Sequence, residues 1–222
     1  MVERMVSDTI ISGLNSGFSG QLLGPGDAGY EEARRVQNGM IDKRPAAIAR
    51  CLSESDVVAA VNFAREKGLE IAVRGGGHNV AGNAVCESGL MIDLSLMKGI
   101  EVDSKARTAR AQGGVTWGEF NAATQQHGLA ATGGVVSTTG IAGLTLGGGL
   151  GWLMGKYGLA VDNLISAEVV TADGQVLRAS DSEHGDLFWG LRGGGGNFGI
   201  VTWFEYRLHP VGPQVIAGLA AH

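Results

Sequence analysis

A run of 28 residues without a formal charge, Gly128 to Gly155, constrains this chain more than any other feature. It is long enough for a membrane-spanning helix, which needs about 20 apolar residues. Ten of its residues are glycine, and each glycine costs up to ~1 kcal/mol in a helix interior relative to alanine. Thr132, Ser137, Thr138, Thr139 and Thr145 add polar groups. The run therefore reads as backbone packed against the rest of the protein or against a bound cofactor, and a lipid-facing helix is not expected.

Across the chain 38 of 222 residues are glycine, more than twice the usual ~7%. No three-residue period accompanies them, which excludes collagen. Hydrophobic residues make up 44% and charged residues 18%, a balance that suits a folded domain with a sizeable core. A net charge of −5 without a basic cluster argues against nucleic acid as a partner. Cys51 and Cys86 are too few for a disulfide scaffold and read as reduced thiols. Met1 to Phe18 carries Glu3, Arg4 and Asp8 and no apolar core, so no secretory signal is expected and the cytoplasm is the default location.

Periodicity and capping signals outline the elements. Residues 1–40 read as an N-terminal arm with a turn at Gly24-Pro25-Gly26. Ala46 to Leu52 alternates as a strand. Ser53 and Asp56 open a helix with Val57, Val61 and Ala64 on one face and Gly68 as its C-cap. Glu70 to Val73 reads as a second strand, which completes a right-handed β-α-β crossover. Further strands are expected at Leu90 to Leu94, Gly99 to Asp103 and Arg107 to Gln112. Thr116 and Glu119 open a second helix that ends near His127-Gly128. Leu164 to Thr171 and Gln175 to Ala179 flank Asp173-Gly174, a hairpin signal. A short helix at Asp186 to Leu191 and a strand at Ile200 to Leu208 follow. The expected class is α+β, a small β-α-β lobe of about 41–103 and a larger, mostly antiparallel lobe of 104–210.

Three glycine motifs carry the chemistry. Arg74-Gly75-Gly76-Gly77-His78-Asn79 follows a strand directly. Successive glycines let backbone N–H groups converge without Cβ interference. Such a nest binds anions and suits a diphosphate, to which Arg74 could add charge. His78 stands beside it as a candidate cofactor ligand; a flexible surface loop is the plain alternative. The second motif, Gly133 to Gly149, alternates small residues and hydroxyls with aliphatics, a composition suited to a flat, partly polar ring.

In the third motif, Gly194, Gly196 and Gly199 match G-x-G-x-x-G. That fingerprint needs a strand before and a helix after. Here the order is reversed, which rejects a nicotinamide Rossmann reading. Gly151 to Tyr157 is one residue short of a P-loop. His127, His184 and His209 read as structural, and Lys156, Tyr157, Asp162 and Asn163 as turn and capping residues. No hydrolytic triad, paired carboxylates or metal-ligand cluster is readable.

In this order the three motifs resemble the FAD-linked oxidases of the vanillyl-alcohol oxidase and berberine-bridge-enzyme type, with their PCMH-type FAD-binding domain. The nearest subgroup is the bacterial one that includes 6-hydroxy-D-nicotine oxidase. The resemblance runs from about Arg44 to Pro210. It implies that Arg74, Gly75, Gly76, Gly77, His78 and Asn79 bind the FAD diphosphate, with His78 bonded to the flavin 8α carbon. Ser137, Thr139, Gly140, Gly143 and Leu144 would line the flavin. Gly199 and Val201 would meet the adenosine end. Many relatives hold a second covalent bond through a cysteine at the position of Val136, so one bond is expected here, with Val136 against the flavin.

Thr139 stands where relatives often carry valine or isoleucine, and oxidase and dehydrogenase chemistry both stay open. The resemblance further implies hydride transfer from a small organic substrate to flavin, with reoxidation by dioxygen. Residues 211–222 would begin a substrate domain that this chain lacks. A non-catalytic flavin-binding module or a truncated fragment is the alternative, and a partner chain or self-association could cover the flavin face.

Overall fold

The computed structural model describes residues 10–14, 17–216 and 218. Its first sheet holds β1 (Gln21–Leu23), β2 (Ala47–Arg50), β3 (Ile71–Arg74) and β4 (Leu90–Asp93), in the order β1-β2-β4-β3. β2, β4 and β3 are parallel, and β1 adds antiparallel to β2. The β-α-β crossover is present, with β4 inserted between its two strands. Every residue of β4 is buried, as expected of a central parallel strand covered on both faces. β1 lies within the segment read from sequence as an arm, so that segment contributes a strand to this sheet.

A short helix, α1 (Tyr30–Ala33), lies between β1 and β2, and the crossover helix between β2 and β3 is α2 (Glu54–Lys67). α2 starts at a reciprocal capping box between Ser53 and Asp56 and stops where Gly68 turns left-handed at φ 63°. Its buried face, Val57, Ala60, Val61 and Ala64, packs on the sheet with Leu90, Ile92, Ile10 and Leu14.

The second sheet is fully antiparallel, in the order β5 (Ile100–Asp103), β6 (Thr108–Gln112), β10 (Ile200–Arg207), β8 (Leu164–Val170), β9 (Val176–Ser180). β5 pairs here, so the change of sheet falls between Asp93 and Ile100 rather than after Asp103. A small ribbon pairs β7 (Leu129–Ala130) with β11 (His209–Pro210); neither strand was expected from sequence. The hairpin at Asp173-Gly174 joins β8 to β9, with Gly174 at φ 81°.

α3 (Trp117–Gln125) begins at the capping box of Thr116 and Glu119. It places Trp117 and Phe120 against Tyr206 of β10, with ring centroids 5.2–5.9 Å apart. The charge-free run resolves into β7, α4 (Ile141–Leu146) and α5 (Met154–Tyr157), and α6 (Gly185–Leu191) precedes the third motif. Thr145 of α4 reaches the buried Tyr206 hydroxyl at 2.8 Å. Among the described residues no helix is long and apolar enough to cross a membrane. Both cysteines are free and buried, and burial pushes both thiols up.

The two sheets share core. Val170 and Ile200 of the second pack into the apolar cluster of the first. Thr202 of β10 donates to Glu54 of α2 at 2.9 Å.

Asp56 is fully buried. It accepts hydrogen bonds from Ser19 N at 2.7 Å, Ser19 Oγ, Leu52 N and Ser53 N. Burial pushes its carboxyl up, but the hydrogen bonds from Ser19, Leu52 and Ser53 outweigh this and hold it below the ordinary range. A carboxylate with a depressed folded pKa stabilises fully above its unfolded value of about 3.9 and loses that contribution as pH falls toward the folded value. Asp56→Ala should therefore cost about 2–3 kcal/mol at pH 7 through the lost cap and orphaned donors. Urea unfolding at several pH values checks this: the gap between wild type and variant should narrow below about pH 4.

Candidate cofactor site

The first glycine motif leaves the sheet at the C-terminal end of β3. Arg74, the last residue of that strand, is held in place by Asp93 at the end of β4. Arg74 Nε and Nη2 donate to the two Asp93 oxygens at 3.0 and 2.6 Å, and Nη1 donates to the carbonyls of Ala33 and Arg35. The Asp93 side chain has no exposed surface and also accepts from Arg50 and Ser95. Four of the five guanidinium N–H donors of Arg74 are thus committed to the protein. The charge suggested from sequence as an aid to anion binding is paired with a buried carboxylate instead.

Beyond Arg74 the backbone N–H groups of Gly75, Gly76, Gly77, His78 and Asn79 make no hydrogen bond among the described residues. The turn around them is ordered. Gln37 N donates to the Gly77 carbonyl at 3.0 Å, Gly77 sits at φ 71°, and Asn83 N donates to the Asn79 side chain. Gly77 is buried, Gly75, Gly76 and His78 are half-buried and Asn79 is exposed, so these five unpaired amides are open to water or to an anion.

The second lobe supplies the opposite wall. Gly76 meets Gly140 backbone to backbone: a methyl group on Gly76 would fall 2.2 Å from Gly140 N, and one on Gly140 would fall 2.4 Å from Gly76 N. Gly75 rests on Gly113 and Ala142, and Gly113 in turn abuts the Val201 carbonyl. The nest therefore lies in a seam between the lobes.

From the turn before α4, Thr138 Oγ1 stands 3.0 Å from His78 Nε2, and Thr139 Oγ1 stands 3.4 Å from His78 Nδ1. Val135 and Val136 on the same turn are 58% and 50% exposed, and Ser137 is exposed beside them. Gly143 opens onto free space, while Leu144 packs against Gly134 and Gly149. Gly199 lies at the start of β10 at φ 140°, tight against the Val170 carbonyl. It follows α6 and a short 3-10 turn at Gly195–Phe198, the reversed context expected for the third motif.

His78 contacts two hydroxyls and no carboxylate or thiol among the described residues. The site offers a nitrogen nucleophile beside an anion nest, without the partners of a hydrolytic dyad. Thr138 and Gly113 were missed at the sequence level. Thr138 sits in a Ser-Thr-Thr run whose hydroxyls were visible, but nothing local says which one faces His78. Gly113 lies outside every motif.

The rest of the run is pinned from behind. Asn163 donates to the carbonyls of Tyr157 and Leu159, so its Oδ1 must accept from His209 Nε2–H at 2.6 Å. The imidazole stacks on Tyr157 with centroids 4.0 Å apart. Burial, with Arg207 and Lys156 nearby, lowers the His209 pKa, and the expected structural role fits.

Residues 45–180 match the family described as FAD binding domain. The chain is 43% identical over 201 residues to (R)-6-hydroxynicotine oxidase of Paenarthrobacter nicotinovorans, covering 90% of this chain and 44% of that protein. Its fold superposes on a crystal structure of 6-hydroxy-D-nicotine oxidase from Arthrobacter nicotinovorans with a TM-score of 0.86, at 43% identity, over 87% of this chain and 43% of that one. It also matches glucooligosaccharide oxidase from Acremonium strictum, described with a 6-S-cysteinyl, 8α-N1-histidyl FAD, at 34% identity and a TM-score of 0.85, over 90% of this chain and 42% of that one. The chain thus spans less than half the length of these relatives. With a matching domain, superposable folds and an amide nest fit for a diphosphate, the chain belongs to the FAD-binding domain family of the FAD-linked oxidoreductases, of the vanillyl-alcohol oxidase and berberine-bridge-enzyme type.

Proposed function

We propose that this chain is the cofactor-holding part of an oxidase-type flavoenzyme, and that His78 carries its FAD covalently. The observation that carries the reading is the succession of five unpaired amides, Gly75 to Asn79, ending at an imidazole in the seam between the lobes. The amides of Gly75, Gly76 and Gly77 hold the diphosphate. Val136, Ser137, Thr139, Gly140, Gly143 and Leu144 support the flavin, and Gly199 and Val201 meet the adenosine end. Bound flavin supplies a hydride acceptor for a small organic substrate and passes the electrons to dioxygen. The exposed Val135 and Val136 give an apolar seat for a flat ring, and burying such surface is worth roughly 25 cal/mol per Å². Val136 provides no sulfur for a second bond, which leaves His78 as the attachment point. Substrate contacts and the base that takes the substrate proton belong to the whole protein.

Intact-mass analysis of protein expressed with ample riboflavin tests this directly. One FAD mass should remain on the denatured chain, and His78→Ala should fold yet release its FAD on denaturation. Colourless protein, or adduct persisting in His78→Ala, would refute the assignment.

The backbone contact makes a second prediction. Gly76→Ala forces Gly76 and Gly140 apart and should weaken FAD binding about tenfold or more, ~1.4 kcal/mol. Titration of FAD-free Gly76→Ala with FAD in the His78→Ala background, compared with His78→Ala alone and followed by flavin fluorescence, measures the loss.

A further inference from the structure

The two threonines beside His78 are not equivalent. In a neutral imidazole one ring nitrogen donates and the other accepts. Thr138 Oγ1 lies 3.0 Å from Nε2 and Thr139 Oγ1 lies 3.4 Å from Nδ1. An N–H gains most from an acceptor within about 2.7–3.2 Å, which only the Nε2 contact offers. The shorter contact therefore takes the N–H, and the longer leaves a lone pair only weakly engaged.

We infer that Thr138 is a positioning residue for flavin attachment. It accepts the Nε2–H of His78 and so fixes the tautomer whose Nδ1 lone pair is free to bond. This rests on the reading that His78 is the attachment point, and it adds a residue to which no role had been given.

The attachment balances as follows. The Nδ1 lone pair forms the bond to the 8α carbon as one 8α C–H bond breaks. The hydrogen of that C–H bond leaves as a proton to solvent, and the imidazole, now substituted at Nδ1, loses its Nε2 proton to solvent as well. The two electrons of the broken C–H bond remain with the flavin, and dioxygen removes them with two protons to give hydrogen peroxide. Without Thr138 the proton can reside on Nδ1, where Thr139 Oγ1 can accept it, and the population with a free Nδ1 lone pair falls. Thr138 thus acts through His78, by setting which nitrogen is the nucleophile, and touches no reacting atom itself.

The test follows covalent incorporation in protein produced under riboflavin starvation and then given saturating FAD, with adduct read by intact mass over time. Saturation removes any difference in reversible binding from the comparison. Thr138→Val keeps the shape and deletes the acceptor; it should slow attachment at least about tenfold. Thr138→Ser restores a hydroxyl and should recover most of the rate, which a purely steric role would not predict. Wild-type rates in Thr138→Val, with no adduct in His78→Ala, would overturn the role of Thr138 and leave the attachment site standing. Equal slowing in Thr138→Val and Thr138→Ser would also overturn it. Absence of adduct on the wild-type chain would overturn both.

Discussion

Backbone lies against backbone where Gly76 of the first lobe meets Gly140 of the second, and the rest of the site depends on that contact. No side chain fits between them, since a methyl group on either residue would fall within 2.4 Å of the other's nitrogen. Real Cβ atoms do not approach so closely, so the seam closes only if both positions are glycine. Closing it brings a turn that ends in an imidazole under a turn that carries three hydroxyl residues. Gly113 serves the same end from below, between Gly75 and the Val201 carbonyl.

A glycine turn is entropically costly to order, so something rigid must aim it. Here that is Asp93, buried at the end of the central strand β4 and bridged to Arg74 at the end of β3. The pair closes the β3–β4 register as its last member and fixes where the chain leaves the sheet. Burying a carboxylate is tolerable only when it is paired and hydrogen-bonded, and Arg74, Arg50 and Ser95 together do that. The first arginine of the motif therefore works on the framework side of the turn. The other side of the turn presents uncharged amides. Successive backbone N–H groups can make anion-binding concavities of themselves.

Much of the fold was legible because its signals are local. The capping boxes at Ser53 and Thr116, the C-cap at Gly68 and the turn at Asp173-Gly174 each encode an element boundary within a few residues. What could not be read is non-local. β1 is a strand only because the edge of β2 accepts it, and the β7–β11 ribbon joins segments 80 residues apart in number. The place of β5 in the second sheet follows from its pairing with β6, which adjacency to the first lobe disguised. The same holds in the site. The glycines of the nest were readable as a nest, whereas the partner of Arg74 is set by sheet order, and the contact of Thr138 with His78 spans 60 residues.

The central claim is that these two turns clasp one cofactor across the seam. Amide hydrogen exchange of the FAD-free chain, compared with and without FAD, tests it most directly. Peptides covering 74–79 and 137–144 should gain protection together and more than any other segment, because five amides that lack partners acquire them. Protection confined to one turn, or falling elsewhere while both exchange as fast as before, would contradict the account.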